Sequence, residues 1–257
     1  MAFRGVNFAH LSKFNSAKSS NLIDVYENIV NEELQEAASK PSSMTFAPSS
    51  IRCDRRSWFR LRGVAPDKVS SFDSQLDFTA KIGTACHEII QSRLCNSDMW
   101  VDVEDYLKIN PIPYKYSLER NRYEVKIEIS EPYPIRFACD GILLIDDEYY
   151  LLEIKSSELS SFSELCDIKP KHIDQVKCYG TLLGLKKALV LYQERQYGDV
   201  KCYEQNITQF DNDYIIGKMN HVIECVEHNI APDKLPSGDS WCTPSMCPYY
   251  TKCKQWG

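Results

Sequence analysis

The chain has 257 residues with 43% hydrophobic content, so it is long enough to bury one large core, and its net charge of −6 argues against coating nucleic acid through its overall field. No run approaches the roughly 18 apolar residues of a membrane span, and the N-terminus lacks the hydrophobic region of a signal peptide, so we expect no membrane partner. Eleven cysteines without a secretion signal are typical of reduced thiols, some of which bind a metal. We therefore expect a cytoplasmic protein, in the host cytoplasm if the source is viral.

Residues 1–47 are predicted to form an N-terminal arm followed by one helix. The first 21 residues are polar and show no clear period, whereas apolar residues between 21 and 39 recur with helical spacing. Proline and serine then interrupt the chain at 41–43 and at 48–50. We therefore predict that one larger domain spans residues 48–257.

A basic and aromatic segment opens this domain. Residues 50–63 carry five arginines together with Trp58 and Phe59. Arginine binds phosphate and aromatic rings stack on bases, so the segment offers contacts to nucleic acid despite the acidic total. An amphipathic helix with its basic side in solvent explains the pattern equally well, and the sequence leaves both readings open.

Residues 78–94 are predicted to form a helix that carries His87. Gly83 and Thr84 lie one turn before it on the same side, and small residues there let another backbone or a ligand approach closely. A core histidine bonded to a carbonyl is the alternative to a metal ligand. Residues 96–121 give a weak pattern, and the strict alternation over residues 123–129 predicts a strand.

The most informative stretch is the pair of apolar runs at residues 137–156, which flank an acidic turn. Strand side chains alternate between faces, so Glu153 and Lys155 project together. If Asp146 and Asp147 form a two-residue hairpin loop, Asp140 lies opposite Glu153, whereas a four-residue loop places Asp140 opposite Lys155. A lone E-x-K is common on solvated strand edges. Both runs are otherwise apolar on both faces, however, so the charges are expected to be buried and to need a partner or a metal.

A serine-rich loop over residues 156–167 is predicted to precede a helix at 171–183 that carries Gln175 and Tyr179. These two residues are four apart and share a face, with His172 one turn earlier. Strands at 188–192 and 200–207 and a helix at 210–228 follow. A lone Q-x-x-x-Y pattern carries little information, and its value lies in following the E-x-K strand.

The C-terminal tail gives the strongest metal signal. Cys242, Cys247 and Cys253 lie within twelve residues, separated by four and then five residues. Three thiolates need a fourth ligand to complete a four-cysteine site for zinc or an iron–sulfur cluster, and Cys53 is the natural candidate. The other seven cysteines are expected to be small core residues.

In chain order these motifs resemble the RecB-like branch of the PD-(D/E)XK nuclease superfamily, and within it the iron–sulfur exonucleases such as the CRISPR-associated exonuclease and the AddB nuclease domain. The resemblance covers residues 48–257. It implies an α/β, restriction-endonuclease-like core with a central mixed β-sheet flanked by helices, and a metal-cluster subdomain stapled by N- and C-terminal cysteines. The usual tail has two residues between its first two cysteines and this chain has four, which keeps zinc as an alternative to the cluster.

The resemblance also implies a role for each motif. A divalent Mg²⁺ or Mn²⁺ ion is expected to be held by His87, Asp140, Glu153 and the carbonyl of Ile154. Lys155 is expected to position or deprotonate the attacking water, with its basicity lowered by the metal, and Gln175 and Tyr179 to contact DNA or brace the site. The residues expected to hold a [4Fe–4S] cluster are Cys53, Cys242, Cys247 and Cys253.

Three functions follow as hypotheses. The first is a metal-dependent DNA exonuclease acting on single strands or duplex ends, in recombination, repair or phage or CRISPR DNA processing. The second is a cluster-containing subunit that binds DNA ends or a partner with little nuclease activity, and the third is a zinc-stapled structural protein. The sequence contains no P-loop, so a helicase would be a separate partner, as would a recombination or adaptation protein.

Overall fold

The computed structural model describes residues 22–39, 43–67 and 73–256; the predicted arm over residues 1–21 lies outside them. The helices are α1 (Leu22–Ser39), α2 (Asp54–Leu61), α3 (Asp73–Leu94), α4 (Val103–Ile109), α5 (Leu159–Ser163), α6 (Pro170–Leu183), α7 (Gln209–Glu227) and α8 (Tyr250–Gln255). The strands are β1 (Trp100–Val101), β2 (Lys115–Asn121), β3 (Glu124–Glu131), β4 (Ile135–Ala138), β5 (Gly141–Ile145), β6 (Glu148–Ser157), β7 (Lys187–Glu194) and β8 (Val200–Asn206). None of the helices in these ranges combines the length and hydrophobicity that a membrane crossing requires.

The centre of the fold is a mixed five-stranded sheet in the order β1-β5-β6-β7-β8. Strands β6 and β7 run parallel, and the other neighbours are antiparallel. Helix α3 covers one face of β6, where Ile90 packs with Leu152 and Ile154. Helix α6 covers the other face, where the larger core lies. The expected mixed sheet flanked by helices is therefore confirmed.

The hairpin of β5 and β6 has the two-residue loop that the sequence allowed. Asp146 and Asp147 both have positive φ angles, 50° and 62°, as the tightest hairpin loops require. The pairing runs from Gly141 opposite Leu152 to Ile145 opposite Glu148. Continuing this register by one residue places Asp140 opposite Glu153, so the four-residue alternative is wrong.

The first apolar run of that stretch forms two strands rather than one. Residues 135–138 belong to a separate three-stranded antiparallel sheet in the order β2-β3-β4, and residues 141–145 belong to the central sheet. Cys139 and Asp140 make the crossing between the sheets. Gly141 begins β5 because a Cβ atom there would come within 2.6 Å of the Trp100 ring on β1. Asp140 therefore sits where the two sheets meet.

The small sheet follows the predicted alternation, with Val125, Ile127 and Ile129 of β3 buried. Tyr123, which the alternation predicts to be part of the strand, instead lies in the turn between β2 and β3. Phe46 is fully buried and forms a parallel bridge with Ile135, so the core includes a residue that precedes the predicted start of the domain.

The predicted helices and strands after the hairpin are present with small changes at their ends. Helix α6 begins at Pro170 and ends before Gly184, whose φ of 71° terminates the helix in the left-handed conformation. The predicted serine-rich loop contains the last two residues of β6 and the short helix α5. Helix α7 begins with a capping box between Thr208 and Asp211.

The tail returns to the start of the larger predicted domain. The Asp67 carboxylate accepts a hydrogen bond from the Thr251 backbone N–H at 2.7 Å, and Lys252 Nζ donates to the Pro66 carbonyl at 2.9 Å. The ring of Tyr249 stacks on Phe59 of α2 with centroids 5.3 Å apart. Helix α2 and the cysteine-rich tail are therefore packed against each other.

Candidate active site

Asp140 connects three parts of the fold. Its Oδ1 lies 3.0 Å from Nδ1 of His87 on α3, and its Oδ2 accepts a hydrogen bond from the Ile154 N–H of β6 at 2.6 Å. Its backbone carbonyl accepts a hydrogen bond from Nε2 of Gln91 at 2.8 Å. The buried carboxylate is thereby fixed in position and orientation.

His87 reaches this carboxylate because α3 crosses closely over β6. A Cβ atom at Gly83, one turn before His87, would lie 3.4 Å from Oγ of Ser156 of β6, which is ordinary van der Waals contact and shows how near the helix lies to the strand. Burial alone would lower the pKa of His87, but the hydrogen bond and charge of Asp140 outweigh it and raise the pKa. His87 therefore pairs with the Asp140 carboxylate and is not a core histidine bonded only to a carbonyl.

Glu124, at the start of β3, is the site residue that the sequence analysis missed. One ligand atom each from His87, Glu124 and Asp140 lies within 4.8 Å of the other two, and across the described residues no other group of three or more such ligand atoms is this compact. Burial and the charge of Asp140 both raise the pKa of Glu124. The alternation of β3 puts Glu124 on the face opposite Val125, but nothing in the sequence shows that α3 covers this face.

Glu153 and Lys155 form an ion pair on β6 beside Asp140. Glu153 is buried, and burial raises its pKa; the Lys155 ammonium opposes this shift, whereas Asp140 adds to it. Burial would lower the pKa of Lys155, but Glu153 and Asp140 outweigh it and raise that pKa. The sequence analysis expected a metal ion to lower the pKa of Lys155. The neighbouring groups of the protein itself raise that pKa.

Gln175 and Tyr179 of α6 extend the contacts of Lys155 by hydrogen bonds. Lys155 Nζ donates to Oε1 of Gln175 at 3.2 Å, and Nε2 of Gln175 donates to the Tyr179 hydroxyl at 3.1 Å. Tyr179 is buried, and burial followed by the charge of Glu153 raises its pKa well above its usual value. Both residues therefore lie behind Lys155 in a hydrogen-bonded chain.

His172 lies outside that chain. Its Nδ1 is 2.7 Å from the hydroxyl of Tyr192 on β7. Burial lowers the pKa of His172 to about 2, with a further contribution from Lys155, Lys171 and Lys169. His172 is therefore neutral and serves a structural hydrogen bond.

The carbonyl of Ile154 shares the strand edge of its N–H group, because both groups of one strand residue point to the same side. The N–H donates to Asp140, so the carbonyl oxygen faces the region beyond the start of β5. Of the four ligands expected from the sequence, His87 and Asp140 are in direct contact, and Ile154 contacts Asp140 through its N–H. Glu153 lies beside them: it pairs with Lys155 and interacts electrostatically with Asp140.

The four cysteines singled out from the sequence line one small cavity of about 20 Å³. The backbone N–H of Arg56 donates to the sulfur of Cys53, and that of Tyr249 donates to the sulfur of Cys247. Burial raises the pKa of Cys53 to about 11, and the three other thiols contribute to the shift. None of the eleven cysteines forms a disulfide. The fold thus brings Cys53 to the tail triplet, with Arg56 on the same cavity wall.

The arginine run serves contacts within the protein. Arg52 forms ion pairs with Asp174 at 3.4 Å and Asp239 at 2.9 Å. The guanidinium of Arg62 lies 4.5 Å from the centre of the Trp58 ring. The remaining contacts of the run are those of Arg55 with the Pro232 carbonyl, Arg60 with the Thr45 carbonyl, and Arg56 at the cysteine cavity. Most of the run is thus engaged in packing against the tail and neighbouring loops, whereas Arg62 is exposed, and contact of the run with nucleic acid stays a prediction.

Comparison with known proteins gives no family model and no curated protein that matches this chain. Solved structures do match. The crystal structure of SSO0001 has a TM-score of 0.48 and 17% identity, covering 89% of this chain and 96% of that one. The crystal structure of an alkaline exonuclease, LHK-Exo from Laribacter hongkongensis, has a TM-score of 0.49 and 12% identity, covering 77% of this chain and 93% of that one.

Proposed function

We propose that this protein is a metal-dependent nuclease of the RecB-like PD-(D/E)XK type that hydrolyses phosphodiester bonds in DNA, acting as an exonuclease on single strands or duplex ends. The observation that carries the proposal is the convergence at Asp140. His87 of α3, Glu124 of β3 and the Glu153–Lys155 pair of β6 all meet this carboxylate where the two sheets join. This set includes the D, E and K positions of the motif.

The residues fit a divalent metal ion. Three carboxylates lie together with one ammonium group and one imidazole, and burial and Asp140 raise the pKa of both Glu124 and Glu153, so the pocket holds excess negative charge. Carboxylate oxygens suit Mg²⁺, and the added imidazole also suits Mn²⁺. Asp140 and His87 would hold the ion with Glu153, the Ile154 carbonyl and the newly identified Glu124. When bound, such an ion polarises the phosphate and lowers the pKa of its water.

Lys155 acts in this proposal by position and charge. Glu153 and Gln175 hold its ammonium group, and Tyr179 in turn holds Gln175. From this position Lys155 would orient or deprotonate the attacking water and stabilise negative charge on the phosphate oxygens. Gln175 and Tyr179 brace the lysine from behind.

We further propose that Cys53, Cys242, Cys247 and Cys253 hold a [4Fe–4S] cluster that is structural. The donor set fits, since four thiols surround one cavity and two of the sulfurs accept backbone hydrogen bonds. Zinc is the alternative occupant of the same four thiols.

The biological setting is also a proposal. A helicase or a recombination or adaptation protein would supply any motor activity, because the sequence contains no P-loop. Cytoplasmic localisation is supported by the eleven cysteines, none of which is in a disulfide. Recombination, repair and phage or CRISPR DNA processing are the processes proposed for the activity.

The test is hydrolysis of end-labelled single-stranded and duplex DNA in Mg²⁺ or Mn²⁺. We expect Asp140→Asn to reduce the rate by at least on the order of 100-fold while the protein still folds and binds DNA. Asp105→Asn makes the same chemical change at an exposed position on α4 and should leave the rate unchanged. Equal rates for the wild-type protein and Asp140→Asn would reject this site, and hydrolysis of no DNA substrate would reject the function.

A further inference from the structure

A cleft of about 200 Å³ opens beside the candidate metal centre, between α3 and the turn that joins β2 to β3. Helix α3 contributes one wall with His87 and Gln91, and the turn contributes the other with Asn121, Arg122 and Tyr123. This volume is below the roughly 300–1,000 Å³ of most enclosed ligand pockets, so the cleft takes part of a single nucleotide and not a longer strand. Because His87 lines this cleft, a molecule bound in it lies next to the metal ligands.

The turn that forms the outer wall has an unusual sequence for its conformation. Asn121 pairs with Glu124, so Arg122 and Tyr123 form a two-residue hairpin loop. Arg122 has a φ of 49°, where side chains are unfavourable and glycine is preferred. A bulky residue held in this region against its preference indicates that its side chain has a use.

The side chains of the cleft offer the groups that bind a nucleotide. The guanidinium of Arg122 lies 4.5 Å from the centre of the Tyr123 ring, which makes a flat, positively charged surface. Asn121 adds an amide that both donates and accepts hydrogen bonds. The ion pair of Arg122 with Glu88, at 3.6 Å, is half exposed on both sides, so a phosphate could replace the glutamate at little cost.

We propose that this cleft binds the nucleotide that flanks the scissile phosphate, with its base stacked on the Arg122–Tyr123 pair and its phosphate on the Arg122 guanidinium. The inference rests on the proposed nuclease function, whose site it extends with a binding subsite. Bases of any sequence can stack on an aromatic ring or a guanidinium plane, so the subsite favours unpaired nucleotides without selecting a sequence.

Arg122→Gly separates this role from a structural one. Glycine suits the positive φ, so the midpoint of thermal unfolding should stay the same or rise, whereas a fluorescein-labelled single-stranded deoxyoligonucleotide should bind about 10-fold more weakly. Binding is measured by anisotropy with the Asp140→Asn protein as background, so it does not depend on turnover. Arg93→Ala, which removes the same charge from an exposed position on α3, should change the affinity less than two-fold.

A second measurement identifies the stacked base. Tyr123→Leu should weaken binding about 10-fold for an intact oligonucleotide and much less for one with an abasic residue at the bound end, each end being tested in turn. Arg122→Asn, which also tolerates positive φ, should repeat the loss seen with glycine. Equal affinity of the Arg122→Gly, Arg122→Asn and parent proteins would overturn the subsite, whatever DNA the wild-type protein hydrolyses. Equal effects of Tyr123→Leu on intact and abasic probes would overturn the stacking.

Discussion

Asp140 shows how a single side chain can be recognised before its surroundings are known. An acidic residue directly ahead of an apolar strand is costly to bury, so its position alone predicted a partner or a metal. Its contacts with His87, Ile154 and Gln91 come from elements that the chain brings together only on folding. Glu124 is equally central but follows an ordinary alternation, so no local pattern distinguishes it from the solvent-facing charges of β3.

Glu124 gives the first prediction. If it is a metal ligand, Glu124→Gln should reduce Mg²⁺-dependent hydrolysis about 10- to 100-fold and weaken metal binding measured by calorimetry. Glu128→Gln is the matched control, because Glu128 lies on the same strand and the same face but is exposed. Loss of activity in both variants to the same extent would mean that general charge, and not ligation, explains the effect.

His172 gives a prediction on pH. Its pKa falls from about 6.5 in the unfolded chain to about 2 in the folded protein, so only the unfolded state takes up a proton as the pH drops below 6.5. The contribution of His172 to stability is complete above this pH and is lost on acidification, by about 2 kcal/mol at pH 5. In denaturant titrations, the stability advantage of the wild-type protein over His172→Gln should therefore shrink between pH 7 and pH 5. A difference that stays constant between pH 7 and pH 5 for His172→Gln would contradict the assignment of a neutral imidazole.

At the scale of elements, periodicity and turn chemistry predicted most of the central sheet. The paired aspartates located the hairpin loop between β5 and β6 but left its length open, whereas α6 begins at Pro170 and ends just before Gly184. Two features could not be predicted from the sequence pattern. The first apolar run, which begins at residue 137, looks continuous because both of its halves are buried, although they pair in different sheets. Residues 96–121 gave a weak pattern because β1 has only two residues and β2 is largely exposed.

The junction of the two sheets depends on Gly141. A methyl group there would come within 2.6 Å of the Trp100 ring, so Gly141→Ala must displace this ring or the backbone of β1 or β5 next to Asp140. We expect a loss of about 1–3 kcal/mol in the free energy of unfolding together with reduced hydrolysis. Trp100→Leu should restore part of the stability in the double variant, because it removes the overlapping ring. Additive losses in the double variant would show that the contact with Trp100 is not the cause.

At the scale of the whole molecule, the C-terminal tail closes on α2 and fixes the basic segment. Arg52 pairs with Asp239, and Lys252 donates to the Pro66 carbonyl, so each side supplies the partners of the other. The sequence analysis placed Cys53 beside the tail only because the three tail cysteines need a fourth ligand. It did not predict that the arginines would be used in this packing, because their internal partners are carbonyls and loop carboxylates with no pattern of their own.

The last prediction concerns the closure of this long loop. A metal centre that joins Cys53 to Cys242, Cys247 and Cys253 should stabilise the fold by several kcal/mol, on the order expected from loop closure and metal-coupled folding. Cys53→Ser should therefore lose the bound metal and its visible absorption and lower the unfolding midpoint, with activity falling because α2 is no longer anchored. Cys178→Ala, in the core of α6, should keep the metal even where it costs some stability. A brown protein with about four irons supports the cluster, and a colourless one with a single zinc keeps the closure but rejects the iron. Full metal content in Cys53→Ser would show that the tail completes its site without α2, and the proposed closure would then be wrong.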